Sequence, residues 1–545
     1  MIELRTIGPP GTGKTTDLSR RIRAAVKRFG GSNVMVGSYT KAAAVELAGR
    51  GLPVPEENVG TLHAICWRAL DRPTIAESRI KDWNAENPGL QIGGGGRDVD
   101  DPYADAVPED RGSLLLGALN RMRNMLVPEE SRPAAVREFS VRWEDWKRSN
   151  DMIDFTDMIE ICRRDLDEAP GSPTIAYWDE VQDFSPLLLS TIRRWGERMD
   201  HVRLAGDDDQ TLYGFVGASP DALMTPEIPP ERCSVLGRSW RVPSAVHALA
   251  VPWIERCSRR APKVYEPRDG DPGSVERIQT TYKDPKRLLD LVEAAERDGK
   301  TIMVLASCSY MLKPLIKIMR DEGVPFGNAL RPSRGDWNPL GSRRGTTVPQ
   351  RILAHLRPER RMDGGSAMWT AAQIRAWVDH LKSKDSTVLQ PRVKSRLVGW
   401  LDGVELLPSD PERYMREAIR PWFADGFARY CRMVLDGARP DADWMHGQIQ
   451  GSKAKAWEYP LRIMESRGAD ELEKVPSLTI GTIHSVKGGE ADRVVLFPDL
   501  SIEGMRAWLD ARRRDEVIRQ FYVGMTRARD SLTVCSPCGH HVNVF

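Results

Sequence analysis

Eight residues near the start of the chain restrict its fold more than any other feature. Gly8-Pro9-Pro10-Gly11-Thr12-Gly13-Lys14-Thr15 follows an alternating apolar stretch at residues 2–7 and runs into a helix-like stretch, Asp17 to Phe29. Gly-x4-Gly-Lys-Thr between a strand and a helix is the spacing of a phosphate-binding loop. Its glycines let backbone N–H groups face phosphate oxygens, and the helix N-terminus adds positive potential. In such a loop Lys14 reaches the β and γ phosphates of a nucleotide and the Thr15 hydroxyl serves Mg²⁺. Gly8, Pro9, Pro10, Gly11, Thr12, Gly13 and Thr16 complete the candidate nucleotide site.

The rest of the chain keeps the matching rhythm. Val34–Ser38 reads as a strand and Lys41–Arg50 as a helix; strands return at Thr174–Trp178 and Val202–Ala205. A new unit shows a strand at Thr301–Ala306 and a helix at Tyr310–Glu322. Later strands are expected at Ser477–Thr482, Arg493–Phe497 and Ser531–Val534. Strands alternating with helices predict parallel α/β sheets. Two stretches break the rhythm. Residues 88–113, with Gly93-Gly94-Gly95-Gly96, read as a long loop before a helical region at 114–148, and residues 331–470 begin arginine-rich and continue helical and rich in Trp. The expected architecture is therefore α/β, with two parallel-sheet domains, each interrupted by a mostly helical insertion. The boundaries are 1–75 and 151–235 for the first domain, 236–330 and 471–545 for the second, and 76–150 and 331–470 for the insertions.

Charge limits the partners. Lys+Arg 79 against Asp+Glu 77 leaves +2, which excludes a globally basic coat for nucleic acid and leaves only local patches. No apolar stretch is long enough to span a membrane, the N-terminus lacks a leader pattern, and eight scattered cysteines read as reduced thiols. A cytoplasmic protein is expected.

A phosphate-binding loop needs a second Mg²⁺ carboxylate at another strand end, and Ile175-Ala176-Tyr177-Trp178-Asp179-Glu180 offers one. Asp179 would hold the metal and Glu180 would take a proton from attacking water. Cations for the developing charge are sought in Arg241 and Arg527.

Taken in order, further segments complete a set. Tyr39-Thr40-Lys41-Ala42-Ala43-Ala44, Gly60-Thr61-Leu62-His63, Asp154-Phe155-Thr156-Asp157-Met158, Asp179-Glu180-Val181-Gln182-Asp183, Gly206–Phe215, Arg238-Ser239-Trp240-Arg241, Thr482–Glu490 and Tyr522–Arg529 follow the loop in sequence. The set resembles the motifs of superfamily 1 DNA helicases of the UvrD/Rep type. The resemblance implies two RecA-like P-loop domains with ATP and Mg²⁺ bound between them: Lys14, Thr15, Asp179 and Glu180 from the first domain, Arg241 and Arg527 from the second. It gives Gln210 a contact to the γ-phosphate or water, Glu490 the ribose, and Trp240 the base. It also implies 3′-to-5′ movement on single-stranded DNA gripped by Tyr39, Thr40, Lys41, Thr61, His63, Tyr213, Phe215, Thr482 and His484. For Tyr213 and Phe215 core packing is the bland alternative, weakened by the neighbouring run of three acids.

Partners implied are single-stranded DNA and its junctions with duplex, together with replication or repair proteins; a monomer is expected. The arginines at 331, 334, 343, 344, 351, 357, 360 and 361 form a candidate grip on duplex phosphates. Departures from the pattern matter too. Thr16 stands where the family has Arg, and a glutamine-containing segment before the loop is not seen, so relaxed selectivity among NTPs is expected. The basic residue of the second motif sits one place early, at Lys41. Short insertions favour weak unaided unwinding, and the compact size points to a phage or mobile element. A translocase that strips proteins from DNA, and a nucleic-acid-binding NTP switch, are the competing readings. Cys535, Cys538, His540 and His541 crowd into a chain end, which argues against a zinc site.

Overall fold

A computed structural model describes residues 2–39, 51–93, 102, 110–332, 334–341, 345–357, 369–384, 386–402, 422–424 and 441–543. The helix expected at Lys41–Arg50 lies outside these residues. The chain divides into two compact units, Met1–Lys283 with Ile302–Leu312 and Gly481–Phe545, and Asp284–Thr301 with Lys313–Ile480.

The first unit is built on two parallel sheets. In chain order, β1 (Ile2–Ile7), β2 (Val34–Ser38) and β3 (Val59–Thr61) come first. β4 (Thr74–Ile75) and β5 (Met152–Ile153) pair only with each other. β6 (Ile175–Asp179), β7 (His201–Gly206) and β8 (Cys233–Val235) complete the first sheet, in the order β3-β2-β6-β7-β1-β8. All its pairs are parallel. Every residue of β2 and β6 is buried, as expected for central strands covered on both faces. The register pairs Ser38 with Asp179 and Ile7 with Gly206. The loops that carry the motifs therefore leave one edge of the sheet, at the C-terminal ends of its strands, where open parallel sheets bind ligands.

β9 (Ser274–Ile278) and β10 (Ile302–Ala306) belong to the second sheet. In the second unit β11 (Phe326–Gly327) pairs in parallel with the start of β12 (Leu478–Thr482). β13 (Ala491–Leu496) and β14 (Ala528–Cys535) follow. Within the first unit the order is β10-β13-β14-β9, again all parallel. The expected strands are all present within a few residues. β8 and β9 were not legible: they are half-exposed strands whose polar residues hide the apolar pattern.

The region read as one helical stretch at 114–148 is two helices, Arg111–Asn124 and Ala134–Ser149. Pro133 is the cap residue of the second, placed where its missing N–H costs nothing. With the helix Ile80–Glu86 they enclose a core of Trp83, Leu119, Phe139, Trp143 and Trp146. The rings of Trp83 and Trp143 meet edge to face at 5.0 Å.

Beneath that core lies a buried charge cluster. Asp154 caps the helix Phe155–Asp165, its carboxylate accepting from the Asp157 N–H at 2.7 Å. The same carboxylate takes Arg123 at 2.9 Å, Lys147 at 2.7 Å and the Trp143 indole at 2.9 Å. Burial pushes the Asp154 carboxyl up, but Arg123 and Lys147 outweigh it and hold the group at about 2. This acid therefore joins the helices Arg111–Asn124 and Ala134–Ser149 to the helix Phe155–Asp165.

The second unit is mainly helical among its described residues, packed around Trp337, Trp377 and Trp457. Thr347 with Gln350 and Thr370 with Gln373 form reciprocal capping boxes at two helix starts. The arginine patch fares differently from expectation. Arg351 donates to the Ala376 carbonyl and lies 3.7 Å from Asp379; Arg357 pairs with Asp470 at 2.5 Å and Glu473 at 2.6 Å. Arg334 covers the Trp337 ring at 4.3 Å. These side chains brace the helices of their own unit, while residues 343, 344, 360 and 361 lie outside the described residues.

Asp154→Ala removes the shared partner of two buried cations, and is expected to cost about 3–5 kcal/mol of stability in denaturant unfolding. The depressed carboxyl contributes its stability above the unfolded value near ~4, and loses it as pH falls toward about 2. An acid titration of the unfolding midpoint should show that loss in wild type and not in the variant.

Candidate nucleotide site and nucleic-acid interface

The phosphate-binding loop leaves β1 and is tied to the neighbouring strand by Gly8 N–H to the Gly206 carbonyl, 3.1 Å. Gly11 and Gly13 take φ of +75° and +82°, the left-handed region that glycine enters freely. A Cβ at Gly11 would also lie 2.5 Å from Arg241 Cβ and 2.6 Å from Ser239 Oγ. The loop thus needs glycine there for two reasons. Lys14 begins the helix Lys14–Phe29, three residues before the sequence pattern suggested. Its ammonium donates to the Gly8 carbonyl at 2.5 Å. Burial holds it below the usual lysine value, against the pull of Asp207, Glu180 and Asp179.

The Thr15 hydroxyl lies 3.0 Å from Asp179 Oδ2 at the end of β6. Burial and the adjacent Glu180 push the Asp179 carboxyl up to about 7. A hydroxyl and a buried carboxylate side by side, with no cation bonded to the carboxylate among the described residues, fit a divalent ion of the Mg²⁺ type. Glu180 follows in the left-handed region at φ +56° and accepts from Gln182 Nε2 at 2.5 Å. Burial raises its carboxyl, yet Lys487 and Lys14 overcome this and hold it below the ordinary value.

Lys487, quoted only as part of a motif, proves central. Its ammonium contacts Asp183, donates to the Gln210 carbonyl at 2.8 Å and lies 3.8 Å from Glu180. No local signal marks this lysine, because its partners come from 304 and 277 residues away.

Arg527 is buried at the end of the helix Arg514–Met525. It donates to the Val523 and Gly489 carbonyls, at 3.0 and 3.1 Å, and to Gln210 Oε1 at 2.8 Å. Burial, with Arg241 nearby, pushes it down to about 9. Its hydrogen bonds go to neutral oxygens, so the positive charge is not spent on a carboxylate. Arg241 was expected from the second sheet's side. The structure carries it on the segment after β8, a strand of the first sheet, and seats it on the loop: Trp240 N–H donates to the Gly11 carbonyl at 2.8 Å and Ser239 Oγ to the Pro10 carbonyl at 2.9 Å. Glu490 bridges Arg241 at 2.6 Å and Arg529 at 2.9 Å. The Trp240 ring is 74% exposed beside Gly13. Thr16 is exposed on the first turn of the helix. Lys14, Thr15, Asp179, Glu180, Gln210, Arg241 and Arg527 are thus gathered in one place.

The residues assigned to DNA divide into two groups. Tyr39, Thr61, His63 and Phe215 are half-buried, while Tyr213, Thr482 and His484 are buried. Tyr213 is 2% exposed, packed against Tyr39 at 5.1 Å and Phe215 at 6.1 Å, with Lys487 over its ring. The acid run does not keep this neighbourhood out of the core, as the sequence suggested. Asp207, Asp208 and Asp209 are themselves buried, neutralised by Lys263 and Arg260. Thr61 caps the helix Leu62–Ala69. Burial pushes the His63 imidazole down to about 4. Thr40 and Lys41 lie outside the described residues. Phe155, given no role by the sequence reading, is an exposed aromatic 6.2 Å from the His63 ring.

Cys538 N–H donates to Asp499 at 2.9 Å and His541 Nδ1 faces its own Gly539 carbonyl. Among the described residues the one grouping spaced for a metal is Glu144, Asp154 and Asp157, which Lys147 already holds. No helix among the described residues is long and apolar enough to cross a membrane.

Comparison with known proteins agrees with this geometry. The family model of the UvrD/REP helicase N-terminal domain matches residues 4–227, and that of the UvrD-like helicase C-terminal domain matches residues 461–537. The chain is similar to the ATP-dependent DNA helicase PcrA of Leuconostoc citreum, 23% identical over 312 residues, covering 52% of this chain and 41% of the relative. PcrA of Bacillus subtilis is 24% identical over 277 residues, 46% of this chain and 37% of its own length. The ATP-dependent DNA helicase SRS2 of Saccharomyces cerevisiae is 24% identical over 258 residues, 39% and 22%. The matched stretches span less than half of each of these relatives. Two family models in the right order, over the strands and loops that gather the site, establish that the chain belongs to the UvrD/REP helicase family.

Proposed function

We propose that the chain is a motor that hydrolyses ATP to move 3′ to 5′ along single-stranded DNA and to separate duplex strands. The observation that carries this reading is the convergence of Lys14, Glu180, Gln210 and Arg527 from loops of both sheets of the first unit. The relatives' printed names, ATP-dependent DNA helicases, supply the substrate class; the direction is carried over from the family resemblance.

Glu180 remains ionised in a buried setting because Lys487 and Lys14 face it, so it can accept a proton from water as that water attacks. The Gln210 amide, held between Asp207 and Arg527, orients the water or the γ-phosphate. Lys14 and the guanidinium of Arg527 answer the charge that develops on the phosphoryl oxygens. Thr15 and Asp179 would hold Mg²⁺, which when bound shares the charge of the β and γ phosphates. Arg241 reaches the same region from its pairing with Glu490, and that glutamate, with one oxygen on Arg241 and the other on Arg529, keeps lone pairs that can accept from a ribose hydroxyl. The exposed Trp240 ring beside the loop provides a stacking face, which any base satisfies, so GTP is expected to support turnover. On the DNA side, Phe215, Phe155, Tyr39, Thr61 and His63 supply accessible aromatics and hydroxyls for a sequence-tolerant grip. Buried Tyr213 and His484 support Phe215 from behind. The proposed motor segments remain 1–75 with 151–235 and 236–330 with 471–545, with insertions at 76–150 and 331–470.

Three measurements bear on this. Strand separation on duplexes with a 3′ or a 5′ tail, run in parallel with ATP and GTP, should proceed from the 3′ tail with both nucleotides; ATPase activity stimulated by DNA without any strand separation would leave a translocase instead. Lys14→Ala and Glu180→Gln should each lower turnover by at least about 100-fold, with Glu180→Gln still binding nucleotide. An active Glu180→Gln enzyme contradicts the base assignment. Trp240→Ala should weaken nucleotide binding by about 10-fold, from ~1–3 kcal/mol of stacking, and leave the thermal midpoint unchanged because the ring is 74% exposed.

A further inference from the structure

The segment that follows the helix Ser244–Ile254 lies along the three-acid run like a strip of complementary charge. Arg260 pairs with Asp209 at 2.8 Å, the Ala261 N–H donates to Asp208 at 2.7 Å, and Lys263 reaches all three acids. The Lys263 side chain is 1% exposed. It lies 3.0 Å from Asp207 Oδ1 and 3.0 Å from Asp209 Oδ2, and it contacts Asp208.

The three acids are not equivalent. Asp209 also has Arg260, and Asp208 also has a backbone N–H. Among the described residues, Lys263 is the one cation paired with Asp207, whose Oδ1 also accepts from the Asp209 N–H at 3.2 Å. Asp207 is also the acid that holds Gln210: its Oδ2 accepts from Gln210 Nε2 at 2.7 Å. The other end of that amide, Oε1, accepts from Arg527 at 2.8 Å. A carboxylate only accepts and a guanidinium only donates, so these two neighbours fix which way the amide faces. Lys263 and the Asp209 N–H share Asp207 Oδ1, which leaves Oδ2 turned toward Gln210.

We propose that Lys263 is a positioning residue for hydrolysis, acting through Asp207 to set the orientation of the Gln210 amide against Arg527. This deepens the proposed function and rests on it for its kinetic readout. Nothing in the local sequence, Ser258-Arg259-Arg260-Ala261-Pro262-Lys263, distinguishes this lysine from a surface charge.

The test is a double-mutant cycle on DNA-stimulated ATP hydrolysis. Lys263→Met should lower kcat by roughly 10–100-fold, the scale of a misplaced catalytic group, while KM for ATP moves less than about 3-fold. Gln210→Ala should do the same, and the double variant should be no slower than the slower single. Independent, multiplying losses would overturn the proposal, as would an unchanged kcat in a folded Lys263→Met. Because that variant leaves excess buried negative charge, Lys263→Met/Asp208→Asn is made alongside; it restores the charge count without restoring the hold on Asp207, and should fold yet stay slow. Recovery of full kcat by this pair would reduce Lys263 to a neutralising role and overturn the proposal. Hydrogen exchange of the nucleotide-free proteins gives a readout apart from activity. Lys263→Met should raise exchange at residues 207–212 and at 523–527; a change confined to 258–266 counts against the relay. If the wild type does not hydrolyse ATP, the proposed function fails, and exchange at 207–212 and 523–527 still decides whether Lys263 positions Gln210.

Discussion

A 2.8 Å hydrogen bond from the Arg527 guanidinium to the Gln210 amide oxygen joins the loop after β7 in one sheet to the turn before β14 in the other. Both side chains are buried. Taking a guanidinium out of water is costly, and here the compensation comes from two carbonyls and an amide rather than a carboxylate. That leaves the charge available to an anion. The remaining parts of the site presuppose this bond. Lys14, Thr15 and Asp179 can form a phosphate and metal cradle alone, but only a cation donated from the second sheet makes the cradle sense whether the two sheets are together.

The first unit pays heavily in buried charge, and the distribution of that charge is informative. Three clusters recur: Arg123 and Lys147 on Asp154, Lys263 and Arg260 on residues 207–209, and Lys487 on Asp183. The separations bridged run from 7 residues, Lys147 to Asp154, to 304, Lys487 to Asp183. Buried pairs of this kind seldom add much net stability, since desolvation offsets the attraction. Their geometric demand is strict, however, because a buried carboxylate tolerates few arrangements of donors. Here they fix how the helices Arg111–Asn124 and Ala134–Ser149 meet the helix Phe155–Asp165 and how the motif loops meet one another.

Much of the fold was legible because its signals are local. The phosphate-binding loop, the apolar strands ending in Asp179 and Gly206, and the later strands of the second sheet each carry their pattern within a few residues. What escaped was non-local. Lys487 and Lys263 are unremarkable until folding brings acids to them from about 300 and about 55 residues away. The three acids of 207–209 argued against a core neighbourhood for the same reason. Arg351 and Arg357 read as a free basic face until Asp379, Asp470 and Glu473 are found beside them. Tyr213 and His484 share motif residues with Phe215, and the sequence does not say which ring faces outward and which supports it. Family resemblance supplied the order of the motifs; the structure supplied the partners of each side chain.

The most direct test of the central claim is steady-state ATP hydrolysis by Arg527→Ala, with and without single-stranded DNA, alongside nucleotide binding to the same protein. If the second sheet donates the cation that completes the phosphate site, turnover should fall by about 1,000-fold or more, as for a lost arginine finger, while nucleotide still binds. Turnover within a few-fold of wild type in a folded Arg527→Ala protein would contradict the account.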